Sequence, residues 1–421
     1  MDLRAHRPEA ASSAHLGAHQ SVRHIARQPI LDATGKLFGY ELLFRSSRDN
    51  HFDGDGDQAT RTMLDNTLLF GVEHLSGGFP AFINCTRQSL LGDLVLVLNP
   101  EKVVIEILED VVPDQQVIDA CRRLHARGYR LALDDFVWKP EMAPLVDLAN
   151  FIKIDVLAHP ARERELLLRE ISQSSAQLLA EKVETPEDFE VLKTEGFSLF
   201  QGYYFCRPQQ NTLSRISSNT MMHLELLALV QQNPIDIYKV GLMLRRDVSL
   251  TYRLLRLVNS PLYGMREDMR SIEHALVVVG DQMFRRLVLL GISKEAAGPR
   301  AAALLRLALH RSRFCELAAK QWNLDPDEQC LLGLMSLLPA MLKVKMEIIA
   351  EVLPMRASLR EALLGVEVHE RAPLLWLENF ESGNWEACEA VAKESEVQEL
   401  GLAEPYADAI RWADEACEQL I

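Results

Sequence analysis

Several features that mark other classes of protein are absent from this sequence of 421 residues. No apolar run reaches the roughly 18 to 20 residues that span a bilayer, and the amino terminus lacks the apolar core of a signal peptide. The seven cysteines are scattered and show no CxxC spacing, which argues against a disulfide framework and a zinc site. These absences predict a cytoplasmic protein without a membrane partner.

An excess of basic residues is also absent. Sixty acidic residues stand against 45 basic ones, which gives a net charge of −15. A protein that grips nucleic acid through its phosphates shows the opposite balance, so we expect no direct nucleic-acid partner. A small anionic ligand remains compatible with this charge, because a bound metal ion or a local group of cations can invert the field.

Strand-like and helix-like segments alternate over the amino-terminal half of the chain. The strand-like runs are residues 25–32, 37–44, 81–85, 103–108, 130–136, 150–156, 176–183 and 198–205. Strands that alternate with helices predict a mostly parallel sheet with helical crossovers, and eight strands allow a closed α/β barrel. Only a short turn joins the first two runs, which predicts that these two strands pair antiparallel.

The pattern changes near the middle of the chain. The barrel is expected over residues 22–208, and the polar segment 209–214 reads as a linker. Almost everything beyond it has helical periodicity, which predicts an all-α domain over 215–408 and a C-terminal helix or tail over 409–421. Residues 1–20 are rich in Ala, His and Ser without periodicity, and they predict a disordered leader.

Seven successive strand-like runs each carry a polar or ionisable side chain at or near the carboxyl end. These side chains are Glu41, Asn84, Glu106, Asp134 with Asp135, Lys153, Glu181 and Gln201. Each one alone could be a helix cap or a solvated loop residue. Their regular order predicts a shared active site instead, because barrels of this type build their sites at that face. Carboxylate and amide oxygens suit Mg²⁺ or Mn²⁺, and a lysine beside them would hold a water or a phosphate oxygen.

The order GYELLFR, FINC, VIEILE, LALDDF, FIKID, AEKVET and QGYYFCRP closely resembles the signature series of EAL domains. The resemblance implies a (β/α)₈-type barrel that binds cyclic di-GMP. It also implies hydrolysis of one phosphodiester bond to linear pGpG with two divalent metal ions. Under this resemblance, the first metal ion would be held by Glu41, Asn84, Glu106 and Asp134, and Asp134 would bridge to a second ion supported by Asp135.

The same resemblance implies roles for five further residues. Glu181 would be the general base, and Lys153 would position the attacking water. Arg45 would contact a phosphate of the ligand, and Gln201 would complete the floor of the site. Glu109 matches the glutamate that steadies a loop beside the site in the family.

The sequence departs from the EAL pattern in the loop beside the expected second metal ion, at Lys182, and at Leu42, which replaces the alanine of EAL. The family's DDFGTGYSSL loop reads DDFVWKPEMAPL here, so that Val137, Trp138 and Pro140 replace its flexible part, and Lys182 replaces the glycine of AEGVE. Bulky residues in place of glycine disfavour backbone with φ above zero. Two functions therefore stay open: a phosphodiesterase of weak or regulated activity, which the retained Glu181 and Lys153 favour, and an inactive receptor or scaffold that acts through protein contacts.

The carboxyl-terminal half resembles an HDOD domain in the segment DVSLTYRLLRLVNSPLYGM and the helical stretch that follows it. Catalytic HD domains need adjacent His and Asp ligands, and this sequence contains no His-Asp dipeptide. His274 and His310 are expected to be packed or surface residues. The resemblance implies a non-catalytic output module that contacts a protein partner, and the EAL resemblance suggests a homodimer.

Overall fold

The computed structural model describes residues 25–44, 72–202, 204, 218–244, 247, 250–251, 254–255, 258, 272–296 and 301–420. The expected leader over 1–20, the expected linker over 209–214 and Arg45 lie outside these residues.

Eight strands close into a barrel in the order in which they occur along the chain. They are β1 (Ile25–Asp32), β2 (Leu37–Phe44), β3 (Ala81–Cys85), β4 (Val103–Ile107), β5 (Arg130–Leu133), β6 (Phe151–Asp155), β7 (Gln177–Glu181) and β8 (Leu199–Gln201). Strand β1 runs antiparallel to both β2 and β8, and the other neighbours pair in parallel. The predicted barrel with an antiparallel first strand is confirmed.

The turn between β1 and β2 explains why these strands form a hairpin. The carboxylate of Asp32 accepts hydrogen bonds from the backbone N–H of Thr34 at 2.7 Å and of Lys36 at 3.0 Å. Gly35 between them has φ of 82°, a left-handed conformation that favours glycine. A short polar turn with a glycine at the position of positive φ reverses the chain at little cost.

Helices connect the remaining strands across the outside of the barrel. They are α1 (Val72–Ser76), α2 (Arg87–Leu91), α3 (Gln115–Ala126), α4 (Ala143–Val146), α5 (Ala161–Glu170) and α6 (Pro186–Thr194). Side chains of Thr86, Asp114 and Thr185 cap α2, α3 and α6 by accepting hydrogen bonds from backbone N–H groups of the first turn.

The interior of the barrel is filled by one apolar layer. Its members are Ile30, Phe82, Val104, Ala132, Phe151, Leu179 and Leu199. The rings of Phe82 and Phe151 lie 5.2 Å apart. Alternate residues of a strand share a face, so the side chain two positions beyond each member also points into the barrel.

The carboxyl-terminal half is helical wherever the structure assigns regular elements after β8. The helices are α7 (Ser218–Val230), α8 (Ile237–Leu244), α9 (Ile272–Ala296), α10 (Ala301–Ala318), α11 (Pro326–Met335), α12 (Leu338–Leu342), α13 (Met346–Val352), α14 (Ala357–Leu363), α15 (Ala372–Glu381), α16 (Trp385–Glu394) and α17 (Ala403–Leu420). Helix α9 is interrupted at Gly280, and α10 packs against α11 and α17. Within the described residues, no helix combines the length and apolarity that crossing a bilayer requires.

The helical half packs against the outer face of β1. Arg27 on this strand is buried, and its Nη1 donates a hydrogen bond to Oδ2 of Asp414 on α17 at 2.8 Å. Arg306 on α10 donates to the other oxygen of the same carboxylate. The Arg27 guanidinium also lies over the Tyr40 ring, 4.6 Å from its centroid. An ion pair shielded from solvent therefore joins the two halves of the chain.

Candidate functional site

A polar layer lies directly above the apolar layer of the barrel. On β3, β4, β6, β7 and β8 the polar residue comes two positions after the inward-facing apolar residue, as Asn84 does after Phe82 and Lys153 after Phe151. Asp134 follows Ala132 in the same way, just past the end of β5. Antiparallel β1 places Gln28 two positions before Ile30. The strand period alone therefore brings these side chains to one end of the barrel.

Lys153 lies at the centre of this layer and is completely buried. Its Nζ lies within ion-pair distance of carboxylate oxygens from four other chain segments. The distances are 3.3 Å to Glu41 Oε2, 2.9 Å to Glu106 Oε1, 2.6 Å to Asp134 Oδ1 and 3.0 Å to Glu181 Oε1. One ammonium cannot neutralise four carboxylates, so the cluster has an excess of negative charge that attracts a cation or a proton.

Burial is the largest influence on the pKa values in this cluster. It raises the pKa of Glu106 well above its ordinary value and that of Glu181 to about 8, despite the attraction of Lys153. Burial would also raise the pKa of Glu41, but Lys153 and a hydrogen bond from Gln201 bring it below its ordinary value. For Lys153 burial favours the neutral form, and the surrounding carboxylates outweigh it and raise the pKa well above normal.

A network of side-chain amides holds the carboxylate of Glu41. Gln201 Nε2 donates hydrogen bonds to Glu41 Oε2 at 2.6 Å and to Gln28 Oε1 at 2.7 Å. Asn84 Nδ2 donates to Glu41 Oε1 at 3.2 Å. Both oxygens of Glu41 are thus held by named donors. Gln28 is a member of this network that the strand-end pattern missed, because the pattern follows carboxyl ends and β1 runs the other way.

Asp155 is a second residue that the strand-end pattern missed, although it closes the FIKID run. It is buried at the end of β6, beside Glu181 in the register of β7. Its Oδ1 accepts hydrogen bonds from the backbone N–H groups of Leu157 at 2.8 Å and Ala158 at 3.1 Å. Its Oδ2 lies 2.5 Å from Nζ of Lys182. The inward face it shares with Lys153 was the available signal.

The segment that departs from the family pattern folds compactly beside the site. Asp135 is half-buried and has φ of 39°, while Val137 is exposed. The Trp138 ring packs 6.5 Å from that of Phe136. Pro140 opens a short 3₁₀ turn that leads into α4. The positive φ in this segment falls on Asp135, and aspartate tolerates such a backbone conformation better than most residues do.

Lys182 corrects one expectation about these departures. A bulky residue at the glycine position was expected to disfavour a positive φ, yet Lys182 has φ of 56°. Lys182 therefore adopts the left-handed backbone conformation even though it carries a long side chain.

The structure does not test the roles predicted for two further residues. Glu109 is exposed on the turn after β4, and its role in steadying a loop stays a prediction. Arg45 lies outside the described residues, so its proposed contact with a phosphate also stays a prediction.

The donor set of the cluster fits a hard divalent cation. Across the described segments, no group of three or more His, Cys, Asp or Glu side chains has the arrangement of a metal site. The carboxylates of the cluster converge on Lys153. Several buried oxygens there have no hydrogen-bond partner among the described residues: Asn84 Oδ1, both oxygens of Glu106 and Glu181 Oε2. Glu106 Oε1 lies within ion-pair distance of Lys153 but outside hydrogen-bond geometry. Orphaned carboxylate and amide oxygens are the ligands that Mg²⁺ and Mn²⁺ prefer.

The histidines of the helical half are not arranged as metal ligands in the described part of the chain. His310 is buried, with Nδ1 3.5 Å from Glu381 Oε1 and its ring against Tyr406. Burial lowers its pKa, which favours the neutral ring at pH 7. His274 is exposed on α9. These positions agree with packed and surface histidines.

Known proteins resemble the chain over both halves. The EAL domain family matches residues 80–208 and the HDOD domain family matches residues 216–358. The protein YuxH of Bacillus subtilis is 31% identical over 399 residues, which cover 92% of this chain and 97% of YuxH. The cyclic di-GMP phosphodiesterase CdgJ of Vibrio cholerae is 32% identical over 399 residues, which cover 93% of this chain and 92% of CdgJ.

Among solved structures, BlrP1 of Klebsiella pneumoniae in complex with calcium and cyclic di-GMP is 26% identical. That match covers 44% of this chain and 55% of BlrP1, with a TM-score of 0.36. The matches along the full length define the class: the chain belongs to the family of proteins in which an EAL domain is followed by an HDOD domain.

Proposed function

We propose that the protein is a metal-dependent cyclic di-GMP phosphodiesterase of weak or regulated activity, which yields linear pGpG. The observation that carries this proposal is the buried cluster of four carboxylates around Lys153, with carboxylate and amide oxygens that lack a hydrogen-bond partner in the described residues. The relative CdgJ, similar over nearly its whole length, supports the choice of substrate.

Each group of the cluster has a part in this proposal. Glu41, Asn84, Glu106 and Asp134 would hold a Mg²⁺ or Mn²⁺ ion, and the resemblance gives a second ion to Asp134 and Asp135. When bound, such ions lower the pKa of a water and stabilise charge on the phosphate.

Glu181 is suited to accept the proton of the attacking water. Burial raises its pKa to about 8, and its Oε2 has no hydrogen-bond partner in the described part of the chain. A base with a pKa near the working pH combines a useful fraction of the ionised form with a strong drive to take the proton. Lys153 holds the carboxylates in place, and under the resemblance it would position the attacking water.

The test is to incubate the purified chain with cyclic di-GMP and Mg²⁺ or Mn²⁺ and to separate the products by chromatography. We expect pGpG from the wild-type chain. We expect turnover at least about 10²-fold lower from Glu181→Gln, with cyclic di-GMP binding retained in calorimetry. Equal activity of the two chains would refute the role of Glu181 as base. Gln177→Ala, at the opposite end of the same strand and exposed, is a matched control that should leave activity unchanged.

A receptor without turnover is the second candidate. The altered segment from Val137 to Pro140 favours it, because this segment follows Asp135, to which the resemblance assigns a second ion. The Lys182 ammonium also favours it, because this positive charge interacts with the charge of Asp135. Binding of cyclic di-GMP at micromolar concentration without pGpG would select the receptor, and failure to bind would leave a protein scaffold.

We further propose that the HDOD half is a non-catalytic output module for a protein partner, in a cytoplasmic homodimer. If this half has no hydrolytic site, then Glu181→Gln in the barrel should lower the total hydrolysis of cyclic di-GMP by the full chain by the same factor of at least about 10². Sedimentation of the purified full chain tests the dimer.

A further inference from the structure

A lysine occupies the edge of the site between the ends of β6 and β7. Lys182 follows Glu181 directly. Its backbone has φ of 56°, in a region that residues other than glycine seldom adopt. The side chain is half exposed, whereas the Asp155 carboxylate that it contacts is nearly buried. The Lys182 side chain therefore lies on the solvent side of the Asp155 carboxylate.

The Lys182 ammonium donates a hydrogen bond to one oxygen of the Asp155 carboxylate. Nζ lies 2.5 Å from Asp155 Oδ2, while Oδ1 accepts the hydrogen bonds from Leu157 and Ala158. Both oxygens of Asp155 therefore already have strong donors. A metal ion bound at Oδ2 would share this oxygen with the Lys182 ammonium, whose positive charge opposes the ion.

The same ammonium also acts on the other carboxylates at this edge. The hydrogen bond with Asp155 raises the pKa of Lys182, and the charges of Asp135 and Glu181 add to this effect. Lys182 is therefore a cation close to Asp135, which the resemblance assigns to a second metal ion. Like charges close together repel, and a divalent ion placed there would face this ammonium.

We propose that the Lys182 ammonium replaces the second divalent cation, so that the site binds one metal ion together with Lys153 and Lys182. This inference rests on the proposed metal-dependent function. The single ion belongs to Glu41, Asn84, Glu106 and Asp134. Asp135 and Asp155 are then balanced by a side chain of the protein.

The test counts Mn²⁺ ions bound to the full chain by equilibrium dialysis, with free Mn²⁺ read by electron paramagnetic resonance. We expect about one ion per wild-type chain and about two for Lys182→Gly and Lys182→Gln, which remove the ammonium. Lys182→Arg keeps the charge and should stay at about one ion. Lys193→Gln, a control in the exposed ion pair with Glu190, should also stay at about one ion.

The outcomes separate this inference from the proposed function. Two ions on the wild-type chain would overturn the role of Lys182 and leave the metal-dependent function intact. One ion on both Lys182→Gly and Lys182→Gln would also overturn it, because removal of the charge would then have opened no site. No Mn²⁺ on any chain would refute the proposed function and this inference together. The number of Mn²⁺ ions on the wild-type chain is measured without any variant, so the misfolding of a variant cannot decide the result.

Discussion

The ion pair between Arg27 and Asp414 gives the sharpest prediction about how the two halves are held together. Asp414→Asn keeps the shape of the side chain and removes the charge that faces Arg27 and Arg306. Arg27 would remain buried with only weaker partners that the structure describes: the Leu75 carbonyl oxygen at 3.4 Å, the Tyr40 ring and one neutral amide. Breaking a buried pair by removing one partner costs about 3–5 kcal/mol.

That energy corresponds to a measurable change in the population of molecules in which the two halves have separated. Since about 1.4 kcal/mol is a factor of ten, the open population should rise by roughly two to four powers of ten. Hydrogen exchange of peptides from β1 and α17 measures this opening locally, which suits a chain of two domains better than one global unfolding midpoint. Exchange in α3, on the far side of the barrel, should change little.

Two further variants make this prediction refutable. Asp408→Asn lies on the same helix in an exposed pair with Arg411, and it should change exchange by less than about tenfold. Replacing all three buried charges, as in Arg27→Met with Arg306→Met and Asp414→Leu, should restore much of the protection, because no member of the ion-pair group is then left without its partner. If Asp414→Asn behaves like Asp408→Asn, the buried pair does not hold the interface and the reasoning fails.

Three other measurements test separate parts of the structure. Burial would raise the pKa of Asp414, but Arg27 and Arg306 lower it below its ordinary value. The stability difference between wild type and Asp414→Asn should therefore be constant above a pH of about 4 and shrink as the pH falls through that lowered pKa. Denaturation at several pH values measures this difference. A difference that grows toward acid pH would contradict the predicted direction of the pH dependence. Gln201→Ala removes the 2.6 Å hydrogen bond to Glu41 and should weaken Mn²⁺ binding by about 10- to 100-fold in calorimetry, whereas unchanged binding would show that Glu41 needs no such support. Gly333→Ala should destabilise the helical half by about 1–3 kcal/mol in thermal denaturation, because its Cβ would lie 2.5 Å from the Arg311 carbonyl oxygen; an unchanged melting temperature would contradict the close approach of α10 and α11.

The strands and the polar layer could be predicted from the sequence because both depend on a local period. Phe82 with Asn84, and Phe151 with Lys153, repeat the same two-residue step, and this step alone decides which side chains enter the barrel. The antiparallel start followed from the short turn around Gly35. None of these inferences needs a contact between distant parts of the chain.

The contacts that escaped prediction are those between distant or oppositely directed segments. Arg27 and Asp414 are 387 positions apart, and nothing in either local pattern distinguishes them from surface charges. Lys182 was interpreted only as a lost glycine, since its partner Asp155 becomes its neighbour only when β6 and β7 pair. Gln28 was missed because its strand runs opposite to the others.

Two adjacent residues of strand β1 contact different parts of the molecule, one the helical half and the other the site. Arg27 points outward to Asp414 on α17, and Gln28 points inward to accept the hydrogen bond from Gln201. Helix α17 lies beyond residue 358, where the match to the HDOD family ends, so this contact belongs to the C-terminal segment of the chain. Removing that segment would leave Arg27 without its carboxylate partner. Arg27 is directly followed by Gln28, which belongs to the hydrogen-bond network of the site. Metal and nucleotide binding measured on an isolated barrel would therefore report on an altered β1, and the full chain is the proper object for each experiment.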